Sequence, residues 1–249
     1  MKPDPNSEKS NFNVPNVLTV FRILLVPFFI YFLFREEIFY NIIAFIIFCL
    51  ASLTDLIDGY LARKWNQTTE FGKFLDPLAD KVLVIGAFAT LLVLNEQVET
   101  WMIFLIILRD MLITSLRYIG ILQGKIVQTT QMAKLKTFFQ MGAIVIILML
   151  LMIISSGQKN KINQIYSAGR DNGKIGLEIA GENYHLFISN FRDTAPLLDH
   201  VSQIAAFLPY YIMLITTIIT VLSGLRYLVS NRELLNLNNI WTAYREKNE

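Results

Sequence analysis

Six stretches of the chain are predominantly apolar, at residues 17–34, 39–60, 74–94, 101–122, 138–154 and 206–229. Each approaches the ~20 residues that a helix needs to cross the hydrocarbon of a bilayer. Segments this apolar on all faces belong in lipid or in a buried core, so the pattern predicts an all-α integral membrane protein with six transmembrane helices. Polar segments divide the rest. Residues 1–13 read as a polar, disordered tail lacking the basic start and apolar core of a signal peptide. Residues 14–154 and 206–230 form the six-helix membrane domain, 155–205 an insertion, and 231–249 a C-terminal tail. Within the insertion, short alternating runs at 174–180 and 184–189 follow Asn172-Gly173. Alternation beside an Asn-Gly pair predicts a small β hairpin or meander. The run LLNLNNIWTAY in the C-terminal tail predicts a short amphipathic helix on the membrane surface.

Composition agrees with a membrane protein: 54% of the 249 residues are hydrophobic and the mean hydropathy is +0.46. A formal net charge of +2 gives no sign of a nucleic-acid partner. The distribution of charge is more informative. Arg63, Lys64, Lys73, Lys125, Lys134 and Lys136 fall on the side of the termini, where Lys2, Lys9, Arg232, Arg245 and Lys247 also lie. On the other side, residues 95–100 hold no Lys or Arg and the first loop holds only Arg35. The positive-inside rule therefore predicts that both termini and the connection between the second and third spans are cytoplasmic, which puts the insertion outside. The single cysteine, Cys49, cannot form an internal disulfide.

That cytoplasmic connection is flanked by Asp55, Asp58, Asp76 and Asp80, at the ends of two consecutive apolar runs. An ionisable side chain at membrane depth costs roughly 2.5–3.5 kcal/mol on insertion scales and marks function by default. On helices, Asp55 and Asp58 (i, i+3) share one face, as do Asp76 and Asp80 (i, i+4). Four neighbouring carboxylates repel one another unless cations sit between them, and hard divalent cations prefer oxygen ligands. Gly59 and Ala62 leave room for a ligand against the helix. The alternative for any single residue here is a helix end with charges reaching water.

The pattern Asp55-x-x-Asp58-Gly59-x-x-Ala62-Arg63, eight residues, Gly72-x-x-x-Asp76-x-x-x-Asp80 resembles the signature of the CDP-alcohol phosphatidyltransferase family at all eight fixed positions. The resemblance implies a six-helix membrane enzyme that moves a phosphatidyl or similar group from a CDP-linked donor to an alcohol and releases CMP. It implies that Asp55, Asp58 and Asp76 bind metal, usually two magnesium ions with manganese as substitute. Asp80 would be the general base and would also touch metal. Gly59, Ala62, Arg63 and Gly72 would accommodate the cytidine diphosphate, and the chain would pair as a homodimer.

Two further segments resemble the bacterial phosphatidylglycerophosphate synthase branch of that family. One is Pro15-Asn16-x-Leu18-Thr19-x-x-Arg22, and the other is Arg109-Asp110 through Arg117, followed by Lys134-x-Lys136-Thr137-x-x-Gln140. Asp110 departs from the Glu more usual there. The implied reaction transfers phosphatidyl from CDP-diacylglycerol to sn-glycerol 3-phosphate at a bacterial inner membrane. Asn16, Thr19 and Arg22 join the candidates, against the alternative that the first two cap a helix and Arg22 snorkels. Arg109 and Arg117, eight residues apart, are expected to point the same way and to clamp the acceptor phosphate, with an intramembrane ion pair to Asp110 or to an aspartate of the main cluster as the alternative. Lys134 and Lys136 are read as phosphate ligands or as membrane-surface anchors. A cardiolipin synthase of the same family, using phosphatidylglycerol as acceptor, shares the aspartate signature. A divalent-cation carrier is the non-enzymatic alternative, opposed by the fixed charge of Arg63.

Overall fold

A computed structural model describes the backbone of residues 14–64, 70–122, 131–191 and 196–231, with side chains described for 16–54, 75, 78–79, 81–120, 135–191 and 196–231. Among the described residues every regular element is a helix. They are α1 (Val14–Leu33), α2 (Ile38–Lys64), α3 (Glu70–Leu94), α4 (Thr100–Leu122), α5 (Gln131–Ile153), α6 (Ser156–Asp171), α7 (Gly176–Asn190), α8 (Leu197–Ala205) and α9 (Leu208–Ser230). Helices α1 to α5 and α9 coincide with the six expected spans. Three are long and apolar enough to cross a membrane by length and composition alone, at Asn16–Leu33, Leu135–Ile153 and Leu208–Ser230. The tails at 1–13 and 232–249, with the expected surface helix, lie outside the described residues.

The chain divides into two compact units, residues 1–94 with 148–159, and residues 95–147 with 160–249. In the first, α1 packs on both α2 and α3. Its core comes from faces of helical period: Val26, Phe29 and Leu33 on α1, Ala44, Phe48 and Ala51 on α2, and Leu83, Ala87 and Leu91 on α3. Gly86 allows the approach of α3 to α1, since a Cβ there would lie 3.0 Å from Val26 Cγ1. Asn41 Nδ2 donates to the Leu151 carbonyl at 2.9 Å. Lys159 is buried against Glu36, 3.1 Å away, and its burial pulls the ammonium pKa down while Glu36 opposes the shift.

In the second unit α4 packs on α9, and α7 packs on α8 and α9. The insertion predicted to hold a hairpin is helical instead. Gly176, Ile179, Ala180 and Asn183 are buried at i, i+3, i+4 and i+7, the stripe of an α-helix. The six-residue alternation in the sequence fits either period, and packing against α9 decides it. Asn172-Gly173 ends α6: Gly173, at φ +80°, takes the left-handed conformation that stops a helix, and its N–H donates to the Arg170 carbonyl at 2.8 Å.

Polar bonds tie the insertion to its unit. Tyr166 OH donates to the Ala206 carbonyl at 3.0 Å, and Gln97 Nε2 to that of Ala205 at 2.7 Å. Arg170 pairs with Glu96. Burial pushes the Tyr166 phenol pKa well up. Gly176 sits where a Cβ would run into the Glu99 carboxylate and come within 2.6 Å of Tyr210 Cε2. Gly176→Ala is therefore expected to destabilise the second unit by about 1–3 kcal/mol through overpacking, read as a lower midpoint in thermal unfolding in detergent.

Candidate active site

The aspartate motif falls on two helices of the first unit. Asp55, Asp58, Gly59, Ala62 and Arg63 lie in the last third of α2, and Gly72, Asp76 and Asp80 in the first half of α3. Helix α2 ends at Lys64 and α3 begins at Glu70, and the two helices are in contact. Each carboxylate pair therefore shares a helix face, as its spacing requires, and both pairs lie within about three turns of one short connection. The side chains of these eight residues lie outside those described, as does that of Lys134. As a donor set the four suit a hard divalent cation: oxygen-only ligands from two adjoining helices.

Helix α1 adds a polar stripe to the same unit. Asn16, Thr19 and Arg22 are 4%, 0% and 0% exposed, on the face that continues into Val26, Phe29 and Leu33. That face packs where α2 and α3 cover α1. Arg22 is thus buried rather than snorkelling, and Asn16 and Thr19 look inward. A guanidinium taken out of water costs several kcal/mol unless charges or hydrogen bonds compensate it.

A second polar cluster is built in the other unit. Lys136 Nζ on α5 reaches both carboxylate oxygens of Asp110 on α4, at 2.7 and 2.6 Å. Arg109 Nη1 donates to Asp110 Oδ1 at 3.1 Å, and Arg109 Nη2 to Ser223 Oγ on α9 at 2.9 Å. The ion pair of Arg109 with Asp110, the alternative to the phosphate clamp, is therefore present. Two cations share this one carboxylate. The three side chains are 10–19% exposed, at 10% for Arg109, 12% for Lys136 and 19% for Asp110. Apolar side chains flank Arg109; Leu105, Leu108, Leu112, Leu225 and Leu228 line a cavity of about 140 Å³ that it borders. Arg117 does not join Arg109 there, being exposed. Eight residues at 100° each overshoot two turns by roughly 80°, which carries Arg117 off the α9-facing side. Gln140, one turn after Lys136 on α5, is 2% exposed.

Ser223 and Gly224 were not legible as site residues. Both sit inside an apolar span, and Ser223 meets Arg109 across a separation of 114 residues. The signal available in the sequence was the spacing of Thr216, Thr220, Ser223 and Tyr227, all buried along one face of α9, since a polar stripe in a membrane helix turns toward protein.

Comparison with known proteins agrees with the motif. The enzyme named CDP-diacylglycerol–glycerol-3-phosphate 3-phosphatidyltransferase from Escherichia coli (strain K12) is 43% identical over 139 residues, covering 53% of this chain and 75% of that protein. The enzyme of the same name from Salmonella typhimurium (strain LT2) is 42% identical over 139 residues, with the same coverage. The family model of the CDP-alcohol phosphatidyltransferases matches residues 12–165, a segment that contains the polar stripe of α1, the whole aspartate motif and the basic residues of α4 and α5. With that match running over more than half of its length, the chain belongs to the CDP-alcohol phosphatidyltransferase family.

Proposed function

We propose that this membrane protein transfers the phosphatidyl group of CDP-diacylglycerol to sn-glycerol 3-phosphate, giving phosphatidylglycerol phosphate and CMP. The observation that carries the acceptor is the pair of cations Arg109 and Lys136, gathered on the Asp110 carboxylate. Such a pair can offer charge-assisted hydrogen bonds to the three terminal oxygens of a phosphate monoester. Phosphatidylglycerol, the acceptor of a cardiolipin synthase, offers only a diester. The relatives named for the glycerol 3-phosphate reaction support the same choice.

Asp55, Asp58 and Asp76, with Asp80, would hold two magnesium ions, for which manganese could substitute. Bound there, such ions neutralise the pyrophosphate and hold attacking and leaving oxygens in line. Gly59 and Ala62 keep the α2 surface low where the cytidine diphosphate lies, Arg63 offsets its charge, and Gly72 gives the same clearance on α3. Asp80 takes the proton from the primary hydroxyl of glycerol 3-phosphate. That oxygen forms a bond to the phosphorus bearing diacylglycerol as the pyrophosphate P–O bond breaks, and CMP leaves with the electron pair. Arg109 and Lys136, joined by Lys134 from the same end of α5, hold the acceptor phosphate, and the exposed Arg117 does not take part. Arg22, with Asn16 and Thr19, lines the donor side. The active site opens to the cytoplasm from the inner membrane, and the protein works as a homodimer.

The test is CMP release by purified protein in detergent with CDP-diacylglycerol, magnesium and one acceptor at a time. Release with glycerol 3-phosphate and none with phosphatidylglycerol is expected. The reverse pattern would make the protein a cardiolipin synthase.

A further inference from the structure

We infer that Ser223 and Gly224 of α9 are positioning residues for the acceptor site, acting through Arg109. This rests on the reading of Arg109 as a phosphate ligand. Gly224 faces the stem of Arg109 so closely that a Cβ would lie 2.7 Å from Arg109 Cγ and 3.4 Å from Nε. Cγ is near the root of the side chain, where rotation cannot carry it away without swinging the whole guanidinium. The missing Cβ is therefore a notch that lets the arginine run along α9.

The preceding residue fixes what the notch admits. Ser223 Oγ accepts from Arg109 Nη2 at 2.9 Å while Asp110 Oδ1 accepts from Nη1 at 3.1 Å. A guanidinium is planar with five N–H donors in a fixed fork, so anchoring both terminal nitrogens fixes its plane. Nε has no hydrogen-bond partner among the described residues. One N–H at Nε and one more at each terminal nitrogen are left to meet an anion. Lys136, also held on Asp110, adds its charge beside them. Helix α9 thus aims a charge carried by α4, though it lies beyond the segment that the family model matches.

A positioning role predicts a specific kinetic split. With full-length protein in detergent and CDP-diacylglycerol saturating, Ser223→Ala is expected to raise KM for glycerol 3-phosphate about 10-fold, the scale of one hydrogen bond to a charged group. KM for CDP-diacylglycerol and kcat should change by less than about twofold. Ser223→Thr, which keeps the hydroxyl, should restore most of the loss. Gly224→Ala should raise the same KM at least as much. In an Arg109→Ala background both substitutions should lose their effect on KM, because the group they position is gone.

Each outcome decides. If Arg109→Ala leaves KM for glycerol 3-phosphate unchanged, the acceptor reading itself fails. If Arg109→Ala raises it but Ser223→Ala and Gly224→Ala do not, the positioning inference fails and the acceptor reading stands. If the α9 substitutions lower activity equally with and without Arg109, or lower the unfolding midpoint in step with activity, α9 acts structurally and the inference is overturned.

Discussion

Asp80→Asn is expected to lower kcat by about 10²–10⁴-fold, the range that a positioned general base contributes, while KM for both substrates changes little. Asparagine has nearly the shape of aspartate but cannot take a proton from the acceptor hydroxyl. Asp80 lies one turn beyond Asp76 along α3. The measurement is steady-state CMP release with each substrate varied in turn. A kcat within about threefold of the unsubstituted protein would take the base role away from Asp80.

The second large effect is expected from metal. Chelation should abolish transfer, and magnesium should restore it, with manganese able to stand in. Asp55→Ala, Asp58→Ala or Asp76→Ala should each reduce kcat/KM by roughly 10³-fold or more, since a cation contributes several kcal/mol of charge stabilisation and each 1.36 kcal/mol is tenfold in rate. Binding can be read without turnover. An ion that binds the native state alone raises the unfolding midpoint in proportion to the logarithm of its concentration. Magnesium should raise it in the unsubstituted protein, much less in the three variants, and largely still in Asp80→Asn. A magnesium-dependent shift that survives in Asp58→Ala would place the ion elsewhere.

Much of this architecture was readable because lipid imposes a strong demand. Runs such as FYNIIAFIIFCLASL and VLVIGAFATLLVL have few homes other than a membrane helix, and the six expected spans meet α1 to α5 and α9. Their ends were less readable. Helix α5 begins at Gln131, a turn or two before its apolar run, and α2 runs on to Lys64, since polar residues continue a helix where it leaves the bilayer. The insertion misled for a different reason: seven residues of alternation carry both periods, and an Asn-Gly pair serves a helix end as well as a hairpin.

The candidate site divides along the same line. The aspartate motif is local, each pair lying within one turn, so sequence spacing alone places it on helix faces. The acceptor cluster is not local. Its Lys136–Asp110 contact spans 26 residues and its Arg109–Ser223 contact 114. Basic side chains on α4 and α5 were visible as cations in apolar surroundings, but which of them converge was not. Arg109 turns to α9 and Arg117 outward because helical phase, not distance along the chain, sets direction.

The central claim is that glycerol 3-phosphate is the acceptor, and the most direct measurement follows its atoms. Protein, CDP-diacylglycerol, magnesium and isotopically labelled glycerol 3-phosphate are incubated together, and the lipid extract is weighed by mass spectrometry. One labelled glycerol phosphate is expected in each new lipid, at a mass equal to phosphatidylglycerol phosphate, with CMP in equal amount. CMP formed while the label stays in the aqueous phase would contradict it.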